Sequence, residues 1–254
     1  MTLRSLILVV ILALAARPAL ADMASANAAF RSGQYDLVLR ETAREFTADA
    51  QALRARTLLA QVMCSAAEPA RPSLEAALAA AEAALRLEPG HDEARLQKAI
   101  ALSLMTRAMS LSEANESGYG QTAKALAEAV LEDDPANHYA LGFLAVWNVE
   151  VHRRGGSIGA AIVGASLKAA RANYAEAVRL APEDAGLRWQ WARALAAFDA
   201  KKYRKEIEAE LQAALAIDPA TELDRVMQGK AQALLDVLAS SKPSAIEAAA
   251  SKML

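Results

Sequence analysis

Three histidines, one cysteine and a glycine-rich run are the residues of this 254-residue chain whose chemistry could go beyond packing. A metal or acid–base site on a helix needs such groups three or four residues apart, so that they share one face. His91, His138 and His152 have no second His or Cys at that spacing, so the pattern predicts no metal site and no cofactor. His91 and His138 each fall just after a proline, where a polar residue opens a helix. The carboxylate pairs Asp133-Asp134 and Glu206 with Glu210 are expected at helix ends or on solvent-facing sides, where solvated charge is commoner than proton transfer. The run from Gly155 to Ser166 lacks the preceding strand and the closing Gly-Lys-Ser/Thr of a phosphate-binding loop. Gly155-Gly156 reads instead as a helix stop behind Arg153-Arg154, whose charges suit a helix C-terminus. Ile158 to Val163 carries no charge, so this stretch either folds back onto the protein or meets an apolar ligand. Cys64 has no disulfide partner in the chain, and its setting in Leu58-Leu59-Ala60-Gln61-Val62-Met63-Cys64 predicts burial. With no convergent set of titratable groups, the chain is expected to bind rather than to catalyse.

The elements that would position these residues begin after a leader. Met1 to Arg4 holds one positive charge, Leu6 to Ala16 is an unbroken apolar run, and Ala19-Leu20-Ala21 offers small residues where a signal peptidase cuts. Residues 1–21 are therefore expected to be a cleaved signal peptide, with the mature chain starting near Asp22 in the periplasm. The apolar run is too short to cross a hydrocarbon core, which takes about 20 residues. No later stretch is long and apolar enough to serve as an integral membrane segment. Removing Arg4 and Arg17 leaves 26 of the 28 basic residues against 30 acidic ones, with no basic stripe. A partner carrying phosphate at high density, such as nucleic acid, needs a concentrated positive surface, so none is expected.

About a quarter of the mature sequence is Ala, and Pro and Gly fall between apolar-periodic stretches, which points to helices throughout. One offset rule then recurs four times: a small residue, a residue four later, a small one three after that, and Pro five further on. The frames are Ala77, Ala81, Ala84, Pro89; Ala123, Ala127, Val130, Pro135; Ala170, Tyr174, Ala177, Pro182; and Ile207, Leu211, Ala214, Pro219. Small residues let two helices approach, and proline ends one helix and angles the next. This spacing resembles the tetratricopeptide repeat, a unit of 34 residues. The resemblance implies an all-α, right-handed α-solenoid of about five helix pairs over residues 22–240. Ala99, Ala145 and Ala192 stand where that family puts a small residue in the first helix. A degenerate first unit keeps Gly33-Gln34-Tyr35-Asp36 at its turn but has no proline, and a helix from about Thr221 to Ser240 should cap the stack. Lys242-Pro243 then interrupts the chain, leaving 241–254 as a short tail. Successive prolines lie 46, 47 and 37 residues apart, which places extra residues at 110–120 and 154–166.

Arrays of this family bind along the inner curve, on the first helix of each pair. The proline frame puts Arg54, Thr57, Gln61, Cys64 and Ser65 there, followed by Glu93, Leu96, Ile100, Ser103 and Leu104. Tyr139, Gly142, Val146, Val149 and Glu150 come next, then Gly186, Trp189, Arg193, Ala196 and Ala197. The Lys and Asn with which family members grip a peptide carboxylate are missing. What remains is largely apolar, with Tyr139 and Trp189 as anchors, Trp147 and Trp191 nearby, and Glu150 and Arg193 as scattered polar groups; the same faces could equally pack against one another. The expected partner is an apolar helix or peptide of another envelope protein, or alternatively a lipid or other apolar small molecule. A second stretch, Leu141-Gly142 with Trp147-Asn148-Val149-Glu150-Val151, then Gly164 and Ala175-Glu176-Ala177 before Pro182, is similar to the regulator-of-microtubule-dynamics repeat domain. Some members of that family are implicated in lipid handling, and the export signal excludes a microtubule role here.

Overall fold

A computed structural model describes residues 17–65 and 70–254, with side chains from Met23 onward. Among these residues there are thirteen helices and no strand. They are α1 (Arg17–Arg31), α2 (Tyr35–Thr42), α3 (Ala48–Cys64), α4 (Arg71–Leu87), α5 (Asp92–Thr106), α6 (Leu111–Ser117) and α7 (Tyr119–Asp133). The chain continues as α8 (His138–Ile162), α9 (Leu167–Leu180), α10 (Ala185–Asp199), α11 (Arg204–Ala216), α12 (Glu222–Ser240) and α13 (Pro243–Lys252). Most of the proposed leader lies outside the described residues; only the backbone of its last five positions is seen, opening α1.

Local chemistry sets the helix ends. Thr47, Asn137, Ser166 and Asp184 each accept a backbone N–H three residues ahead, filling one of the donors that a helix start leaves orphaned. His91 does the same through Nδ1 for Ala94 at 3.3 Å, and His138 is the first residue of α8, so both histidines open helices. At the other end, Glu88, Asp134 and Ala181 leave the helical region immediately before Pro89, Pro135 and Pro182, as the ring of the following proline requires. Thr221 and Asp224 form a reciprocal capping box at the head of α12.

The four proline frames become the packing layer. Ala77, Ala81, Ala84, Ala123, Ala127 and Val130 are all fully buried, as are Ala170, Ala177, Ile207, Leu211 and Ala214, with Tyr174 nearly so. Ala99, Ala145 and Ala192, on the helices that meet them, are also fully buried. The principal contacts join α3 to α4, α5 to α7, α8 to α9 and α10 to α11, each pair carrying one frame.

Two regions differ from the sequence expectation. The extra residues are largely helix: Leu111–Ser117 is α6, started by a Ser110–Glu113 capping box, and 157–162 continues α8 beyond a break at Gly156. Gly156 sits at φ 62°, a left-handed conformation that glycine tolerates best. Residues 241–254, expected as a tail, form α13 and dock on α10, with Ile246 and Ala250 fully buried. These last helices also reach back to the first ones. Arg107 donates to the Ser251 and Met253 carbonyls at 2.6 and 2.9 Å, Lys230 donates to the Met63 carbonyl, and Leu254 packs in one apolar cluster with Leu59, Val62 and Leu74. The Gly33 turn abuts the head of α12 so closely that a Cβ there would lie 2.7 Å from Glu222 Cγ.

Candidate functional site

Between α3, α5, α8, α10 and the returning C-terminal helices lies a cavity of about 1110 Å³, at the upper edge of the range usual for small-molecule sites. Three of its wall helices run in the same direction. His138 at the start of α8 sits 3.8 Å from Asp184 at the start of α10, and Glu150 late in α8 pairs with Arg193 late in α10 at 3.0 Å. Arg154 on α8 donates to the carbonyl of Thr106 at the end of α5. The cavity therefore has a start end and a finish end.

Eight of the ten residues singled out from the sequence border this one space. Leu96, Ile100 and Leu104 come from α5; Tyr139, Val146, Trp147 and Glu150 from α8; and Arg193 from α10. Trp147 is fixed there by its indole N–H, which donates to the Gly120 carbonyl at 2.9 Å. Val149 and Trp189 do not line it; both are completely buried in the principal core. Trp191 also lies outside the cavity wall, stacked on Tyr174 with ring centres 4.5 Å apart and donating to Glu206 at 3.1 Å. The reason is that only one side of α10, carrying Gly186, Leu187, Gln190 and Arg193, meets the cavity, while α8, α11, α12 and α13 pack on the rest of the helix and bury Trp189 and Trp191.

On α3 the expected face is the wrong one. Arg54, Thr57, Gln61, Cys64 and Ser65 point elsewhere, while Arg56, Leu59, Ala60 and Met63 line the cavity. The offset is two residues, or about 200° of helix rotation. Cys64, expected to be buried, is half-buried beside the Tyr35 hydroxyl at 3.8 Å, and burial pushes its thiol above the ordinary value.

The two ends of the cavity carry opposite charge. Arg56, Glu93, His138, Glu183, Asp184 and Asp224 stand at the start end, with the acids in excess. Arg107, Arg153, Arg154 and Arg193 stand at the finish end, with Glu150 as the one acid among the described residues lining it. Helix dipoles favour this arrangement, acids near N-termini and cations near C-termini. Glu150 and Arg193, expected as scattered polar groups, are directly paired: Glu150 accepts from Arg193 at 3.0 Å and from Arg153 at 2.7 Å. Burial works to raise the Glu150 carboxyl, but Arg193 and Arg153 overcome it and hold the group down at about 2.

The mouth is formed by the two inserted helices. Leu111 of α6 and Ile162 beyond the Gly156 break both border the cavity while remaining open to solvent, Ile162 at 79% exposure. The uncharged stretch folds back in part: Ala160 is buried against Trp147, while Ile158 and Ile162 stay uncovered. The sequence reading missed Arg107, Arg153 and Arg154 as wall residues, although it places Arg153-Arg154 at a helix C-terminus. Glu206 and Glu210 are not simply solvated: Arg171 holds the first at 3.0 Å and Arg188 the second at 2.9 Å. Among the described residues no three His, Cys, Asp or Glu side chains gather as a metal site, and no helix is long and apolar enough to cross a membrane. No protein-family model matches this chain, and no curated protein matches it.

Proposed function

We propose that this is a non-enzymatic, exported binding protein that carries a lipid or other apolar small molecule in the cavity between its helix pairs. The observation that supports this reading is the enclosure: the head of α12 and the terminal Leu254 wall the hollow, and the last helices tie to α3 and α5. An open groove receiving a partner's helix, the other reading raised by the sequence, would need that space free, because a helix with its side chains is about 10 Å across. The wall chemistry agrees with a carrier, since apolar side chains such as Leu96, Ile100, Val146 and Trp147 dominate and polar groups concentrate at the ends. The helix pairs fit a right-handed stack of tetratricopeptide-like units, a reading supported by the burial of all four proline frames. Export rests on the leader in residues 1–21.

The test is to express the full chain with its leader, recover it from the periplasm, and extract it with organic solvent. An apolar molecule at one equivalent by mass spectrometry is expected, together with an intact mass that starts at Asp22. An empty extract accompanied by a stably bound envelope protein would replace the carrier with the adaptor reading.

A further inference from the structure

The finish end of the cavity says more about the cargo than its volume does. Two of the four arginines there have their donors engaged by backbone: Arg154 bonds the Thr106 and Met109 carbonyls at 2.8 and 2.7 Å, and Arg107 bonds Ser251 and Met253. These two close helix ends and need no ligand. Arg153 and Arg193 are different. They share a single carboxylate, Glu150, so the group of three keeps one positive charge in excess. Arg193 is 97% buried, being 3% exposed, and uses Nε for Gln190 and Nη1 for Glu150, leaving Nη2 without an acceptor among the described residues. Arg153 uses only Nε. Neither guanidinium has a nitrogen among the sealed, unpartnered atoms of the interior, and both side chains line the cavity, which puts their spare donors within reach of a ligand held there. A buried cation left short of a counter-charge is destabilising unless something supplies one, and a planar guanidinium matches carboxylate or phosphate oxygens. The opposite end of the same space, rich in acids, would repel such a group and so fixes which way round a ligand lies.

We propose that the cargo is an amphiphile with an acidic head group, its carboxylate or phosphate accepting from Arg153 and Arg193 while its hydrocarbon chain lies along Leu96, Ile100 and Val146. This rests on the carrier reading above and adds the class of ligand. Tryptophan fluorescence or calorimetry on the full chain should show palmitate binding at least about tenfold more tightly than hexadecanol, the factor expected of a charge-assisted hydrogen bond. Arg153→Met should bring palmitate close to hexadecanol. Arg153 is the better test because its side chain is 27% exposed, whereas Arg193→Met removes a core group and endangers folding. Lysophosphatidate with the same acyl chain decides between sources: tighter binding than palmitate identifies a phosphate head, weaker binding a carboxylate. Equal affinities for palmitate, lysophosphatidate and hexadecanol, unmoved by Arg153→Met, would overturn the head-group assignment and leave the cavity as a carrier site. Failure of all three probes to bind would overturn the carrier reading itself.

Discussion

The helices α4, α7, α9 and α11 differ from α3, α5, α8 and α10 in how strictly their sequence is bound to their surroundings. On the first set, every frame position is buried: Ala81, Ala127, Tyr174 and Leu211 fill equivalent places, and the position five before each proline stays small, as Ala84, Val130, Ala177 and Ala214. On the second set, positions related by the same frame diverge. Leu96 lines the cavity, Gly142 lets Leu187 approach to where a Cβ would lie 2.6 Å from it, and Trp189 is core. One layer holds the helix pairs together, and the other is free to vary because its inner face meets a hollow. Packing rules are stringent only where atoms touch on all sides.

That contrast can be broken at its weakest point, α10. Trp189→Ala should cost about 3–5 kcal/mol, the range for truncating a buried aromatic, as a shift of the urea midpoint; a cost below about 1 kcal/mol would return Trp189 to the cavity wall. Next in size is Glu150, whose carboxyl is held at about 2 against an ordinary 4.5. A depressed carboxyl stabilises the fold above its ordinary value, and that contribution, on the order of 3 kcal/mol, is lost as pH falls from 4.5 towards 2. Denaturant melts across that window should show the loss, and Glu150→Gln should flatten it. A smaller effect, about 1–3 kcal/mol, is expected from overpacking the crossing layer with Ala127→Leu. Ile158→Ser, at a side chain 80% exposed, should stay within about 0.5 kcal/mol of the parent. If Ala127→Leu proves as mild as Ile158→Ser, the two layers do not differ as described.

The sequence carried the crossing layer well because proline supplies a fixed origin for counting. Ala84 and Pro89 locate the end of α4 within a residue or two, and Thr221 locates the head of α12. The cavity wall was legible where that origin exists, on α5 and most of α8, and failed where it does not. The first unit has no proline, so the count onto α3 slipped by two residues and exchanged Arg56, Leu59 and Met63 for Arg54, Thr57 and Gln61. Trp189 failed for another reason. Its spacing matches Leu96 and Gly142, but α13 covers α10, and taking 241–254 as a tail removed that cover from view. The Glu150–Arg193 pair spans 43 residues, a separation at which no local pattern announces contact.

The bond from Lys230 to the Met63 carbonyl, 167 residues apart, has a further consequence. In a linear array each unit leans only on its neighbours, so the extremities loosen first and unfolding can proceed in steps. Here the first and last segments shield one another, and neither can peel away without exposing the other. Closure of this kind makes assembly slow, because so long a loop must be drawn shut before its contacts are gained, and it should make the melting of the whole molecule a single event.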